Sequence, residues 1–267
     1  MSQFGQKKLE KKGENDPWDF KSRMKSGETL WGTMITIPSP AVAEVLVEQG
    51  YDWFFIDGEH GALEPPQILD ILRAVGHRIT CLVRVPEASE VAIKKVLDFG
   101  AHGIIVPQVN HAKTVADIVR WSYYAPMGSR GVGLARAHRY GATFQQYVAQ
   151  ANDQVVVMVQ AEHIEAVNEI ESIVSVPGID GIQLGPYDLS ASMGLMGQVE
   201  SDEVQEALDR VCKACRARDL PVASFGVSTD SLEKDLRRGV RLICGSTDTI
   251  LLGQGAAGFQ KKLKAGS

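Results

Sequence analysis

The chain has 267 residues, of which 44% are hydrophobic and 23% charged, and its formal net charge is −5 at pH 7. This profile is typical of a globular protein, and the length fits one large α/β barrel or two ordinary domains. The acidic balance gives no electrostatic reason to expect nucleic acid as a partner, and no apolar run approaches the roughly 18 residues of a membrane span. Since the polar N-terminus also lacks the apolar core of a signal peptide, we expect a cytoplasmic protein.

The N-terminal segment differs in composition from the rest of the chain. Residues 1–20 have few apolar side chains and carry two lysine pairs. We therefore predict a flexible N-terminal arm over residues 1–20 and a single domain over residues 21–267. Cys212 and Cys215 have the spacing of a redox or zinc half-site, but they lie within an amphipathic stretch without a second pair. We interpret them as two helix residues.

Apolar runs alternate with amphipathic segments from residue 30 onward. Eight apolar runs are predicted as strands: Leu30–Ile35, Trp53–Ile56, Thr80–Val85, Gly103–Val106, Val155–Gln160, Ile179–Leu184, Pro221–Ser224 and Val240–Cys244. Helices are predicted between them over Ala41–Gln49, Pro66–Val75, Ser89–Phe99, Ala112–Ser122, Phe144–Gln150, Ile164–Ser175, Asp202–Arg218 and Ser231–Arg238. Residues 253–264 are predicted as a final helix or tail.

This alternation predicts a parallel sheet, because parallel neighbours need crossover connections that are usually helical. Eight strand–helix units in about 250 residues favour a closed (β/α)₈ TIM barrel. An open doubly wound sheet is the alternative. It is disfavoured because the turn after the first strand, Thr36–Ser39, lacks the glycine-rich fingerprint of that fold.

Ionisable and polar side chains follow several of the predicted strands. In a (β/α)₈ barrel the active site lies at the carboxyl ends of the strands, so these side chains are expected to meet. They are Asp57, Glu59 and His60 after the second strand, Arg84 in the third, Gln160 and Glu162 at the fifth, and Asp188 after the sixth.

Glu162 and Asp188 follow adjacent strands, and their carboxylates are candidates to hold one metal ion. Oxygen ligands with open positions suit a hard divalent cation such as Mg²⁺ or Mn²⁺. The alternative is that both are acidic residues favoured at helix N-termini by the helix dipole. His60 is a candidate general base, with an ordinary loop histidine as the alternative. Arg84 is a fixed cation that would stabilise an enolate oxygen or pair with Asp57 or Glu59 at the barrel rim.

Several blocks of the sequence resemble the HpcH/HpaI aldolase family, in order over roughly residues 30–253. The blocks are Asp57–Gly61, Arg84–Pro86, Arg130–Gly133, Arg136–Ala137, Gln160–Glu162 and Gly178–Ser190. Members of this family are class II pyruvate aldolases on a (β/α)₈ barrel. They use a divalent metal to cleave 4-hydroxy-2-oxo acids reversibly into pyruvate and an aldehyde through a metal-stabilised pyruvate enolate.

The resemblance implies a role for each matching residue. Glu162 and Asp188 would hold Mg²⁺ or Mn²⁺, with Co²⁺ and Zn²⁺ as alternatives. His60 would be the base and Arg84 the stabiliser of the enolate. Substrate contacts are implied for Gln160, Gly185, Pro186, Tyr187 and Asp188.

The resemblance also implies a contact between subunits. Asp98 matches a family aspartate that reaches a neighbouring subunit's site and raises the basicity of the histidine. A homohexamer is the implied assembly, often with a helix exchanged between partners.

Two features of the sequence leave the identity of the aldehyde open. Tyr187 occupies a position that is often small in the family, and Ser129–Gly141 carries arginines that would recognise a distal carboxylate or fold as a rim loop. We therefore predict an aldolase acting on pyruvate plus an aldehyde. The alternatives are oxaloacetate decarboxylation at the same metal site, or a non-catalytic barrel that binds a metabolite.

Overall fold

Eight parallel strands pair in chain order and close into a barrel, with β1 hydrogen-bonded to both β2 and β8. The computed structural model describes residues 16–265. The strands are β1 Leu30–Ile35, β2 Trp53–Asp57, β3 Thr80–Arg84, β4 Gly103–Val106, β5 Val156–Ala161, β6 Gly181–Leu184, β7 Val222–Gly226 and β8 Leu242–Thr247. The predicted (β/α)₈ barrel is confirmed, and the alternative of an open sheet is wrong.

Helices connect the strands and form the outer layer. They are α1 Phe20–Lys25, α2 Pro40–Val47, α3 Pro65–Val75, α4 Glu90–Asp98, α5 Ala112–Ser122, α6 Phe144–Gln154, α7 Ile164–Asn168, α8 Ile170–Ile173, α9 Pro186–Ser192, α10 Asp202–Arg216, α11 Thr229–Arg238 and α12 Asp248–Ala265. Short 3₁₀ turns occupy Pro17–Asp19 and Arg136–Gly141. Within residues 16–265, no helix is both long enough and apolar enough to cross a membrane.

Local sequence explains where several helices begin and end. The Ser89 hydroxyl accepts a hydrogen bond from the Ala92 amide at 3.3 Å and caps α4, and Ser201 caps α10 in the same way. Such caps satisfy amide groups that have no partner within the helix. Gly239 ends α11 with a φ of 101°, in the left-handed region that glycine adopts most easily.

A second apolar core fills the inside of the barrel, separate from the layer between strands and helices. Its members come from the inward positions of the strands and from α1: Phe20, Met24, Leu30, Met34, Trp53, Phe55, Leu82, Ile105, Val156, Met158, Ala223, Leu242 and Cys244. Phe20 and Met24 are 1% and 2% exposed, and they close the end of the barrel at which the strands begin. The interior of the barrel is thus packed, and the cavity lined by the predicted site residues opens at the opposite end.

The described part of the chain begins at residue 16, within the predicted arm of residues 1–20. Residues 1–15 lie outside the described part of the structure. The Asp16 side chain accepts from the Trp18 amide at 3.0 Å, and the turn that follows leads into the buried Phe20. Residues 16–20 therefore pack against the barrel. The aromatic side chains of Trp18 and Phe20 contact its cores, although the residues around them are polar.

Two helices begin where the sequence pattern did not place them. Helix α9 follows β6 after a single glycine, Gly185, because Pro186 is well suited to the first helical turn. Helix α12 begins at Asp248 rather than at Gly253, directly after β8. The predicted helix over 164–175 is divided at Glu169 into α7 and α8.

A buried ion pair fixes α1 to the barrel. The Lys21 ammonium lies 3.0 Å from an Asp180 carboxylate oxygen, and it donates to the Tyr123 hydroxyl and to the Val155 carbonyl at 3.0 and 2.9 Å. Burial lowers the pKa of Lys21, although the Asp180 charge opposes that shift. The amine is therefore compensated in the core by three oxygen partners.

We expect the variant Lys21→Met to lower the free energy of unfolding by about 3 kcal/mol, because Asp180 then stays buried without its nearest cation. Urea denaturation followed by circular dichroism measures the change. Lys25→Met is the matched control. Its ammonium is 3.8 Å from Asp180 on a side chain that is 60% exposed. This loss should stay under about 0.5 kcal/mol, and equal losses in the two variants would contradict the assignment.

Candidate active site

A cavity of about 400 Å³ opens at the carboxyl ends of the strands. Eight of the nine predicted site residues line it, all except Asp98: His60, Arg84, Gln160, Glu162, Gly185, Pro186, Tyr187 and Asp188. They come from β2, β3, β5 and β6 and the connections after these strands. The barrel therefore gathers residues that are more than 100 positions apart in the chain.

Asp57 and Arg84 form a buried ion pair at the ends of neighbouring strands. They are paired in register between β2 and β3. One Asp57 oxygen accepts from Arg84 Nε at 2.9 Å and lies 2.8 Å from Nη2. Burial raises the pKa of Asp57, but hydrogen bonds and charge from Arg84 more than offset this, so the pKa falls below its ordinary value. Asp57 is thus a permanent anion that holds the guanidinium in place.

The same Asp57 oxygen also shapes the loop that carries His60. It accepts from the amides of Glu59 and His60 at 3.1 and 3.2 Å. Gly61 lies against this turn, where an added Cβ would be 2.5 Å from the Asp57 carbonyl oxygen. The loop after β2 is therefore fixed by the carboxylate that fixes Arg84.

Arg84 is linked to Glu162 through Gln160. Arg84 Nη1 donates to the Gln160 side-chain oxygen at 3.3 Å, and the Gln160 amide nitrogen donates to Glu162 Oε2. The other Glu162 oxygen accepts from the Gln108 amide at 2.6 Å. Gln108 has a φ of 55°, in the left-handed region that a non-glycine residue rarely adopts. This arrangement, which we call the Arg84–Gln160–Glu162 chain, orients the Glu162 carboxylate.

Glu162 and Asp188 are close enough to influence each other electrostatically. Burial raises the pKa of Glu162, and the charge of Asp188 raises it further, against the hydrogen bonds from Gln108 and Gln160. Gly185 leaves room beside Glu162, since an added Cβ would lie 2.4 Å from the Glu162 Cβ and 2.9 Å from Oε2. The two carboxylates therefore lie next to the open space beside Gly185. Such oxygen donors are the ligands that a hard divalent cation takes from a protein.

These two residues would be the acidic ligands of such a site. Within residues 16–265, no group of three or more His, Cys, Asp or Glu side chains is placed to hold a metal ion. A cation bound here would complete its shell with water or with substrate oxygens.

His60 lies on the open side of the cavity. Its side chain is 70% exposed, and its Nε2 is 3.7 Å from a Glu59 oxygen. The same Glu59 oxygen is 3.1 Å from Arg84 Nη1, and burial raises the pKa of Glu59. The histidine is therefore held near an acid but remains accessible to a ligand or to a second protein chain.

Asp98 lies outside this cavity, at the end of α4. It accepts from Arg130 Nη2 at 2.8 Å, and the Arg130 side chain is fully buried over the rings of Tyr124 and Tyr147. Arg136, the next arginine of segment 129–141, donates to the carbonyls of Phe99 and Leu72. Both arginines thus donate their hydrogen bonds to groups on the outer layer of the barrel.

Several lining residues were not identified from the sequence. They are Met34, Thr36, Phe55, Gln183, Phe225 and Thr247. The strand-end rule could have found them, because inward positions next to a known strand end must line the same cavity. Asp248 was also missed. It is 2% exposed and accepts from the Thr36 amide, the Thr36 hydroxyl and the Ile37 amide at 2.9, 2.6 and 2.8 Å.

Comparisons with known proteins identify the family of the chain. The model of the HpcH/HpaI aldolase/citrate lyase family matches residues 33–252. A 4-hydroxy-2-oxovalerate aldolase of Novosphingobium aromaticivorans is 38% identical over 239 residues, which are 89% of this chain and 91% of that protein. A 2-keto-3-deoxy-L-rhamnonate aldolase of Klebsiella pneumoniae is 34% identical over 88% of this chain and 89% of its own.

A solved structure shows the same architecture. An HpcH/HpaI aldolase/citrate lyase family protein from Burkholderia cenocepacia superposes with a TM-score of 0.88 at 31% identity, covering 92% of this chain and 99% of that one. The fold and these relatives thus define a (β/α)₈ carbon–carbon lyase. The chain belongs to the HpcH/HpaI aldolase/citrate lyase family, which confirms the predicted family and enzyme class.

We expect Gly185→Ala to reduce lyase turnover by about 100-fold with the fold retained, because the new methyl group would displace Glu162 by a fraction of an ångström or more. Gly245→Ala is the control, at the same end of the barrel, where an added Cβ meets its nearest atom at an ordinary 3.5 Å. Steady-state kinetics and circular dichroism measure the two effects. Similar turnover in the two variants would argue against a functional position for Glu162.

Proposed function

We propose that this chain catalyses the reversible cleavage of 4-hydroxy-2-oxo acids into pyruvate and an aldehyde. The observation that carries the proposal is the Arg84–Gln160–Glu162 chain. It joins a fixed guanidinium to a carboxylate suited to a divalent cation, and both line one cavity. Pyruvate enolate carries negative charge on oxygen, and these are the groups that stabilise such charge.

Glu162 and Asp188 would hold the divalent cation. We propose Mg²⁺ or Mn²⁺, because both donors are carboxylate oxygens, with Co²⁺ and Zn²⁺ as alternatives. When bound, the cation would act as a Lewis acid toward the 2-oxo group. Gln160 and the segment of Gly185, Pro186 and Tyr187 would contact the substrate, since all four residues line the cavity.

His60 would take a proton and Arg84 would stabilise the charge that results. In the cleavage direction the C4 hydroxyl gives its proton to His60, and its oxygen becomes the carbonyl oxygen of the leaving aldehyde. The electron pair of the C3–C4 bond passes into pyruvate enolate. Arg84 donates hydrogen bonds to the developing oxyanion, and Asp57 keeps the guanidinium oriented.

A second copy of the chain would complete the site. His60 is exposed in the single chain, and Asp98 lies on the outer layer with a side chain that is 26% exposed, from which it would contact another subunit. Helix α12 exposes Leu252, Phe259 and Leu263 by 64%, 66% and 60%. Such an apolar helix surface supports association into a homo-oligomer, for which we propose a hexamer.

We place the reaction in the cytoplasm. The chain's four cysteines are buried free thiols, as is usual in a reducing compartment. Cys212 and Cys215 lie on α10 as two helix residues, and burial raises the pKa of both thiols to about 12. Thiols that stay protonated at neutral pH are poor metal ligands and poor nucleophiles.

We expect Glu162→Gln and Asp188→Asn each to lower kcat/KM for aldol cleavage by roughly 1,000-fold, because either change removes a charged cation ligand. Binding of Mn²⁺, measured by electron paramagnetic resonance, should weaken in parallel, and a chelator should abolish wild-type turnover. Glu165→Gln is the control, on a nearby side chain that is 57% exposed. Turnover that survives exhaustive chelation would disprove the metal hypothesis. Full activity in both variants would instead favour a non-catalytic role for this cavity.

We expect His60→Ala to lower aldol cleavage by roughly 1,000-fold while pyruvate still binds, because the general base is lost and the carboxylate ligands remain. Cleavage rates and pyruvate titration measure these effects. His111→Ala, an exposed histidine outside the cavity, serves as the control. Undiminished proton exchange at the pyruvate methyl group in the His60 variant would count against this base.

Oxaloacetate decarboxylation is the competing reaction at the same site, because it also produces pyruvate enolate. The ratio of kcat/KM for a 4-hydroxy-2-oxo acid to that for oxaloacetate decides between them. A ratio well below one would make decarboxylation the main activity.

A further inference from the structure

The cavity has a second wall that the proposed reaction does not use. It is formed at the ends of β1, β7 and β8 by Met34, Thr36, Phe225 and Thr247, and we call it the β7–β1 wall. In the closed barrel these strands lie across from β4 and β5. Since Arg84, Gln160 and Glu162 occupy the opposite part, the β7–β1 wall is left for the part of the substrate that becomes the aldehyde.

The β7–β1 wall is apolar with two hydroxyl groups. Met34 is 6% exposed and Phe225 is half-buried. The Thr36 hydroxyl donates to Asp248 at 2.6 Å, and the Thr247 hydroxyl lies 2.7 Å from that of Thr249. The Thr36 hydroxyl keeps acceptor capacity for a ligand. The Thr247 hydroxyl also accepts from the Ile250 amide at 3.2 Å, which leaves it one further hydrogen bond.

A carboxylate lies directly behind this wall. Asp248 is buried, and its hydrogen bonds come from the Thr36 hydroxyl and from the amides of Thr36, Ile37 and Thr249. Within residues 16–265 it makes no ion pair. An anionic group placed against the β7–β1 wall would therefore meet an acid that no cation neutralises.

The charges inside the cavity also disfavour an anionic group on the substrate. Asp57, Glu162 and Asp188 line it, and Arg84 is the one lysine or arginine among the described lining residues. Arg84 already lies 2.8 Å from Asp57 and 3.1 Å from Glu59. A divalent cation would be matched by Glu162 and Asp188. Apart from His60, which the proposed reaction itself uses, no cation on the described cavity lining is left over for a second anionic group on the substrate.

We infer that the aldehyde partner of this enzyme is uncharged, and that aldehydes with a distal carboxylate or phosphate are selected against. The inference rests on the proposed function and names its substrate class. A short aliphatic or hydroxylated aldehyde buries its chain against Met34 and Phe225 and bonds to the threonine hydroxyls. A carboxylate in the same place would lose its hydration and would be repelled by Asp248 and by the carboxylates that line the cavity.

The test compares two aldehydes that differ in charge, succinate semialdehyde and its neutral amide N,N-dimethyl-4-oxobutanamide, which has no N–H with which to close a lactam. Each is supplied with pyruvate and Mn²⁺ to the full chain, and the product with the new carbon–carbon bond is quantified. We expect kcat/KM to favour the amide by about tenfold at low salt, and the ratio to fall as ionic strength rises, because added ions screen the repulsion.

A pair of variants tests the electrostatic cause. Tyr187 lines the same cavity and is 59% exposed, so it can be replaced with little effect on folding. Tyr187→Lys adds a cation to the cavity, and Tyr187→Met has nearly the same length without the charge. We expect the carboxylate-to-amide ratio of kcat/KM to be about tenfold higher in the lysine variant than in the methionine variant.

The outcomes separate this inference from the proposed function. Exchange of the pyruvate methyl protons with solvent deuterium reports on enolate formation without any aldehyde. Equal or better use of the carboxylate by the wild type, with exchange intact, overturns the neutral-aldehyde inference alone. Equal ratios in the two Tyr187 variants also overturn its electrostatic basis. Absence of exchange and of product with every aldehyde overturns the proposed function and the inference with it.

Discussion

The buried pair of Asp57 and Arg84 is the interaction on which the rest of the site depends. The two side chains lie in register at the ends of β2 and β3, with an oxygen–nitrogen distance of 2.8 Å. A charge at this depth is tolerated only with a partner, so each residue requires the other. From this pair, contacts extend to the His60 loop and through Gln160 to Glu162. One ion pair thus positions a candidate base, an electrophile and a candidate cation ligand.

The two ends of the barrel differ in how their buried charges are compensated. At the end where the strands begin, Phe20 closes the interior and the pair of Lys21 and Asp180 is fully compensated. At the other end, burial raises the pKa of Glu162, and the negative charge of Asp188 raises it further. The ion pair at the first end is thus satisfied within the protein, whereas a divalent cation at the second end would offset the charges of two carboxylates.

Some of the site could be predicted from the sequence and some could not. Asp57, His60, Arg84, Glu162 and Asp188 were predictable because each lies at or just after a strand end, and strand ends follow from hydrophobic patterning. The pairing of Arg84 with Asp57 or Glu59 was foreseen as one alternative, but the other partners of these residues were not predictable. The Gln108 amide reaches Glu162 only because its backbone is left-handed, and Asp248 lies more than 200 positions from the threonine that it holds.

The sequence by itself determined the fold class, since eight alternating apolar runs permit few other arrangements, and it determined which strand ends carry charge. Both properties are local and can be read from side-chain periodicity. Only the tertiary structure decided which charges neutralise each other. In the folded chain Arg84 pairs with Asp57 and Glu59, and Asp98 pairs with Arg130 on the outer layer. Pairing depends on the register between distant strands and helices, and no local pattern encodes that register.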